Sequence, residues 1–274
     1  MAKREFDLII WGATGFTGQL VVAYLTRTYG VGGELNWAIA GRSREKLEQV
    51  RNDCLDAALH EQLPLVIADS GDADSLAAMV ARTAVICTTV GPYAQYGTPL
   101  VAACAQAGTD YCDLTGEVQW MAKVIPAYQQ MAEKSGARIV HTCGFDSIPS
   151  DLGTWFVQQQ MLESHGVAAC QVKARVGRTR GAASGGTIAS MLNMMEEAGK
   201  DPSIRKLVAD PYVLYPTGVA AGTDGADQMG TRYDKDFEQW TSPFIMAVVN
   251  TRVVRRSNAL MGFPWGGGFR YARS

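Results

Sequence analysis

The apolar positions of the chain fall into short runs separated by stretches of helical spacing. Leu8-Ile9-Ile10-Trp11 is one such run, and Leu20-Val21-Val22-Ala23-Tyr24-Leu25 belongs to a segment, about 15–30, that reads as a helix. Residues 37–40, 65–68, 84–88, 111–113 and 138–141 read as further strands, with helices predicted over 44–50, 72–82, 99–107 and 127–134. Apolar strands alternating with helices predict a parallel sheet covered on both faces. Past residue 151 the pattern changes. Residues 171–176 alternate polar and apolar, as a strand with one wet face does. Thr187 can cap a helix over 188–198 whose stripe of Ile188, Met191, Leu192 and Met195 reads as core packing rather than an adaptable lipid pocket. Residues 210–241 read as irregular connection, a helix is expected over 243–259, and no closing helix or strand is expected after Gly266. The fold class is therefore α/β, a Rossmann doubly wound parallel sheet with a second, smaller α+β domain. Residues 1–150 are expected to form the NAD(P)-binding domain and 151–274 a substrate or cap domain.

Between the first run and the first helix lies Gly12-Ala13-Thr14-Gly15-Phe16-Thr17-Gly18. A buried strand that turns through glycines into a helix leaves free N–H groups at the positive end of the helix dipole, a place for a dinucleotide pyrophosphate. A glycine triplet alone is weak, because ordinary tight turns also use glycine. Its context is a βαβ unit whose second strand ends in Gly41-Arg42-Ser43, without the Asp or Glu that would accept from a ribose 2′-hydroxyl. Arg42, with Ser43 and Arg44 beside it, offers donors suited to a 2′-phosphate, so NADP(H) is preferred over NAD(H). The bland reading of Arg42 is a residue that merely begins the next solvated helix.

Ligands of such sheets bind outside the carboxyl ends of the strands. That nominates Asp69 after strand three for the adenine amino group, and Val90-Gly91-Pro92-Tyr93 after strand four for the ribose and nicotinamide. It also nominates Thr115-Gly116-Glu117 after strand five and 144–151 after strand six. Ser150 and Asp151 read more readily as caps of a helix over 152–162.

Composition excludes several classes. A net charge of −2 gives no footprint for nucleic acid, and no apolar stretch approaches the length that spans a bilayer. Six cysteines without a Cys-x-x-Cys pair read as reduced thiols, mostly in the core, of a cytoplasmic protein, and three histidines offer no metal site. Peripheral attachment at a membrane and a homodimer are left open. No Tyr has a Lys four residues later, which removes the short-chain dehydrogenase scheme. Cys143 is followed only by His165, which weakens the Cys–His scheme of acyl reductases.

The glycine loop together with Cys143-Gly144-Phe145-Asp146-Ser147-Ile148-Pro149-Ser150-Asp151-Leu152-Gly153 resembles the saccharopine dehydrogenase-like oxidoreductase family, in the branch with the trans-acting enoyl reductases. Residues 37–47, 90–93 with Tyr96-Gly97, and 113–117 match as well. The resemblance implies a nicotinamide cofactor held by Gly12, Thr14, Gly15, Phe16, Thr17, Gly18, Arg42, Gly91, Pro92 and Tyr93. Ala13, Ser43 and Asp69 join them on the bottom-up reading. Members of the family are usually longer, so the resemblance also implies a chain shortened at its C-terminus. The leading expectation is hydride transfer to an enoyl, lipid-type acceptor or to an imine, with Tyr93, His141 or Asp146 as proton donor. Each has a structural alternative: Tyr93 as a wall of the nicotinamide site, His141 as a satisfied buried ring, Asp146 as a turn cap. Paired carboxylates on an imine-type substrate would call on Arg175, Arg178 and Arg180. The competing expectation is a nucleotide-binding or scaffold protein that keeps the site without turnover.

Overall fold

The computed structural model describes residues 4–177 and 185–274. β1 (Phe6–Trp11), β2 (Trp37–Gly41), β3 (Leu65–Ile67), β4 (Thr83–Thr88), β5 (Asp110–Cys112) and β6 (Ile139–Val140) form one sheet in the order β3-β2-β1-β4-β5-β6. Every neighbouring pair is parallel, with Ile10 opposite both Ile39 and Cys87. All of β2 is buried, as a parallel strand covered on both faces must be. Its helices are α1 (Phe16–Tyr29), α2 (Arg44–Cys54), α3 (Ala73–Ala81), α4 (Tyr93–Ala107) and α5 (Val118–Ser135). Ile10, Val22, Leu25, Trp37, Ile39, Leu47 and Leu63 make one contiguous core between β1, β2 and the helices beside them.

Two helices start earlier than their patterns predict. α4 begins at Tyr93 rather than residue 99, and α5 at Val118 rather than 127, with Pro99 and Pro126 inside them. A proline removes one helical hydrogen bond. Burial of Tyr93, Leu100 and Val101 in α4, and of Val118, Trp120, Met121 and Val124 in α5, outweighs that loss.

The chain divides into two compact units, the first made of residues 4–115, 123–141 and 185–193, the second of 116–122, 142–177 and 194–274. The second contains α6 (Ile148–His165), β7 (Gln171–Ala174), α8 (Pro202–Ala209), β8 (Arg232–Asp234), β9 (Gln239–Thr241), α9 (Ala247–Leu260) and β10 (Arg270–Arg273); α7 (Gly185–Lys200) contributes to both. β10 pairs with β7 in parallel, so the segment expected to end without a strand in fact supplies one. Two forces place it there. Tyr271 packs in a small core with Val254, Trp265 and Phe269, and its N–H donates to Asp224 Oδ2 at 2.9 Å. β8 and β9 form an antiparallel hairpin inside the stretch read as irregular. The expected core stripe on α7 is not core: Ile188, Leu192 and Met195 are exposed, and no residue of that helix is buried. Periodicity reports an apolar face, not what covers it.

α6 is anchored by polar groups. Its N-cap is Ser147, not Ser150, because Pro149 fits the first turn and Gly144 O accepts from the N–H groups of Ser147 and Ile148. Ser150, Thr154 and Gln158 are its buried residues, while Leu152, Trp155, Phe156, Val157 and Leu162 face outward. Gln158 is fully buried and spans the link to β7 with both ends of its amide, donating to Ala169 O at 2.8 Å and accepting from Ala169 N–H at 2.7 Å. Replacing it leaves two backbone groups unpaired. Gln158→Leu is therefore expected to lower stability by about 2–4 kcal/mol, read as a reduced urea midpoint at unchanged slope.

Candidate cofactor site and proton-transfer residues

Strand order reverses between β1 and β4, and the loops after those two strands are stitched together there. Thr89 N–H donates to Trp11 O at 3.0 Å, and its hydroxyl reaches Gly12 O at 3.2 Å. Gly12 has φ +87°, and a Cβ on it would stand 2.5 Å from Val90 Cγ2. Gly18 is tighter still, because a Cβ there would run into Gly12 O and lie 2.8 Å from Ala13 Cα. These glycines bring α1 down onto the end of β1. The resulting helix start is free of side-chain caps and acidic residues. Its first intrahelical bond runs from Gln19 N–H to Gly15 O, so the N–H groups of Phe16, Thr17 and Gly18 have no acceptor among the described residues. Three aligned donors on an uncapped helix fit a pyrophosphate.

Arg42 leaves the end of β2 exposed, with neither hydrogen bond nor ion pair among the described residues. Ser43 caps α2 by accepting from Lys46 N–H at 3.3 Å. Asp69 is exposed after β3, where it accepts from Gly71 N–H at 2.8 Å and thereby shapes its own loop. The peptide between Gly91 and Pro92 is cis, and Ser190 Oγ of α7 would lie 3.4 Å from a Cβ on Gly91. Gln95 Nε2 donates to Asn193 Oδ1 at 2.8 Å and so ties α4 to the middle of α7.

Tyr93 is buried. Its hydroxyl donates to Thr88 O at 3.2 Å and accepts from Leu114 N–H at 3.4 Å. Nearby in the chain, Asp113 has a fully buried carboxylate. Tyr111 OH donates to Oδ2 at 2.9 Å, Thr115 N–H to Oδ1 at 3.0 Å, and His141 Nδ1 lies 2.6 Å from Oδ2. The rings of Tyr111 and His141 meet edge to face at 5.8 Å. Burial, and then the charge of Asp113, push the Tyr111 hydroxyl well above its usual value. On the neighbouring positions Cys87 and Cys112 are register partners, and the hydrogen bond between their thiols together with burial pushes Cys112 up. All six cysteines are free, but Cys143 and Cys170 are exposed rather than in the core.

Residues 8–140 match the family model described as the saccharopine dehydrogenase NADP binding domain. A protein of the trans-acting enoyl reductase group from Mycobacterium tuberculosis is 44% identical over 277 residues, which are 99% of this chain and 65% of that protein. Residues 8–140 thus carry a saccharopine dehydrogenase NADP binding domain, and the chain over its whole length is similar to trans-acting enoyl reductases. The trans-acting enoyl reductase of Mycobacterium bovis is 41% identical over all of this chain and 66% of its own length, and that of Mycobacterium leprae 38% identical over 99% and 66%. The chain thus spans just under two thirds of the curated relatives it matches. Apo saccharopine dehydrogenase of Saccharomyces cerevisiae is 18% identical, with TM-score 0.42 over 59% of this chain and 32% of that one. No helix among the described residues is long and apolar enough to cross a membrane.

Within the first unit, His141 meets Asp113, and Tyr93 accepts from the N–H of the next residue, Leu114. Asp146 lies in the second unit as an exposed carboxylate, while its carbonyl accepts from Arg273 Nη1 at 2.8 Å. In the same unit, burial pushes Asp151 up, against a hydrogen bond from Ser257. Arg175 is paired to Asp234 and stacked on Phe237, whose ring centroid is 4.8 Å away, so it is held structurally rather than offered to a carboxylate. Arg178 and Arg180 lie outside the described residues. The sequence reading missed Asp113 and Tyr111 as site residues. The signal was present in Tyr111-Cys112-Asp113, where alternation sends residues 111 and 113 to one face of the sheet. Gly18→Ala is expected to cut NADPH affinity at least tenfold and to lower the melting temperature. Titration by nucleotide fluorescence checks the first and a thermal scan the second.

Proposed function

We propose that the chain is an NADP-preferring oxidoreductase that reduces an enoyl acceptor carrying an apolar tail. The observation that carries the cofactor half is Arg42, an exposed guanidinium at the end of β2 with no acid beside it to take a 2′-hydroxyl. In this reading the N–H groups at the start of α1 hold the pyrophosphate, with Gly12, Ala13, Thr14 and Gly15 forming the floor of the loop. Arg42 and Ser43 take the 2′-phosphate and Asp69 the adenine amino group. Gly91, Pro92 and Tyr93 form the wall on the nicotinamide side. Tyr93 serves as wall rather than acid, because its hydroxyl is engaged by Thr88 O and Leu114 N–H. When bound, the reduced nicotinamide supplies a hydride; the protein's part is orientation and exclusion of water.

The acceptor half rests on the relatives' names and on α7. Ser190 sets the first turns of that helix against Gly91, and its neighbours Ile188 and Leu192 are exposed apolar residues that an aliphatic tail would cover. Arg175, held by Asp234, gives no support to a dicarboxylate imine.

The test mixes the protein with NADPH and a panel of trans-2-enoyl thioesters of rising chain length, with imines as controls, and follows absorbance of the reduced nicotinamide. Oxidation that strengthens with chain length is expected. Tight NADPH binding without oxidation by any acceptor would make the chain a nucleotide-binding protein instead. Arg42→Ala is expected to weaken NADPH binding about ten- to a hundredfold, the loss of one charge-assisted phosphate contact, and to leave NADH binding nearly unchanged. Equal losses for both would remove the argument for cofactor choice.

A further inference from the structure

The hydride needs a matching proton, and the first unit holds one arrangement built to deliver it. Asp113 carries a carboxylate with no exposed side-chain surface, and His141 is almost as buried, with 7% of its side chain exposed. A buried carboxylate is tolerated when its lone pairs are filled, and here Tyr111 OH, Thr115 N–H and His141 Nδ1 fill them. The order of the donors matters. Tyr111 and Thr115 fix the carboxylate from two sides, and the carboxylate then fixes the ring. An acceptor at 2.6 Å from Nδ1 requires the hydrogen on Nδ1. The ring nitrogen turned away from the carboxylate is Nε2.

We propose that His141 Nε2 is the proton donor of the reduction and that Asp113, braced by Tyr111 and the Thr115 N–H, is the positioning residue that fixes its tautomer. This rests on the reduction proposed above. As hydride forms a bond to the β-carbon of the enoyl group, the π pair of the C=C bond moves to the carbon beside the carbonyl. There the Nε2–H bond of the doubly protonated ring breaks and its proton is transferred, so the acceptor gains two electrons and two hydrogens. The neutral ring that remains already has its hydrogen on Nδ1, needs no reorientation, and recovers its proton from water. Replacing the carboxylate by an amide removes the charge that stabilises the doubly protonated ring and lets the neutral ring left after the transfer take the opposite tautomer.

Histidine-labelled full chain, observed by long-range proton–nitrogen correlation, is expected to show the His141 ring protonated at Nδ1 with a downfield Nδ1 proton. The signal is assigned by its loss in His141→Gln. Asp113→Asn is expected to move the ring to the Nε2–H form and to lower kcat on the best enoyl thioester by about 10²–10⁴-fold, with KM changed little. Tyr111→Phe keeps the aromatic packing and removes one donor to Asp113; it is expected to lower kcat less, by about tenfold, and to narrow the downfield shift, which keeps the inference testable if the amide variant does not fold. A neutral ring protonated at Nε2 alone in the unaltered chain overturns the inference, as does an Asp113→Asn variant that keeps both tautomer and turnover. An Nδ1–H ring in a protein that oxidises NADPH with no acceptor overturns the proposed reduction, and the proton-donor role with it, while Asp113's hold on the ring stands on the spectrum alone.

Discussion

Everything at the candidate site depends on how closely α1 can approach the end of β1. The first-turn N–H groups are useful to an anion only if the helix axis meets the carboxyl edge of the sheet, and that approach leaves no room for a Cβ at Gly18 or Gly12. Sterics therefore come before electrostatics. The same crowding locks Thr89 and Val90 against the loop, so the first and fourth strands share one rim where the strand order reverses. A dinucleotide laid across that rim would touch backbone nearly throughout, and backbone donors cannot be rearranged by a rotamer change.

β1, β2 and β4 were legible in the sequence because each contains an apolar run too short to be a helix, and β2 is buried along its whole length. Helix starts were harder. Pro99 and Pro126 look like first-turn residues, yet tertiary burial carries both helices through them. Ser150 and Ser147 are equally good caps by chemistry, and only the position of Pro149 in the first turn separates them. β10 escaped notice because three glycines stand directly before it, and its partner β7 lies about a hundred residues earlier, beyond any local pattern.

The cofactor residues and the proton-transfer residues differ in the same way. Gly12 to Gly18 and Arg42 form a local motif whose geometry follows from one βαβ unit. Asp113 and His141 meet because β5 and β6 are neighbours in register, Tyr111 opposite Ile139 and Cys112 opposite Val140, so the residues just past each strand end face each other. A sequence supplies both side chains and not their adjacency. His141 could be singled out for its chemistry, whereas Asp113 became meaningful only once its neighbour was known.

α6 illustrates how a helix can be specified by direction instead of volume. Its inward stripe of Ser150, Thr154 and Gln158 is held through hydrogen bonds to Arg273, to its own backbone and to Ala169, while its bulky apolar residues point away. Hydrogen bonds fix orientation sharply but lose their hold once water enters, whereas buried hydrocarbon yields gradually. The helix should thus release as a single step. Backbone amide exchange along α6 would then follow one shared opening equilibrium, making this element the cooperative unit through which the second part of the molecule comes undone.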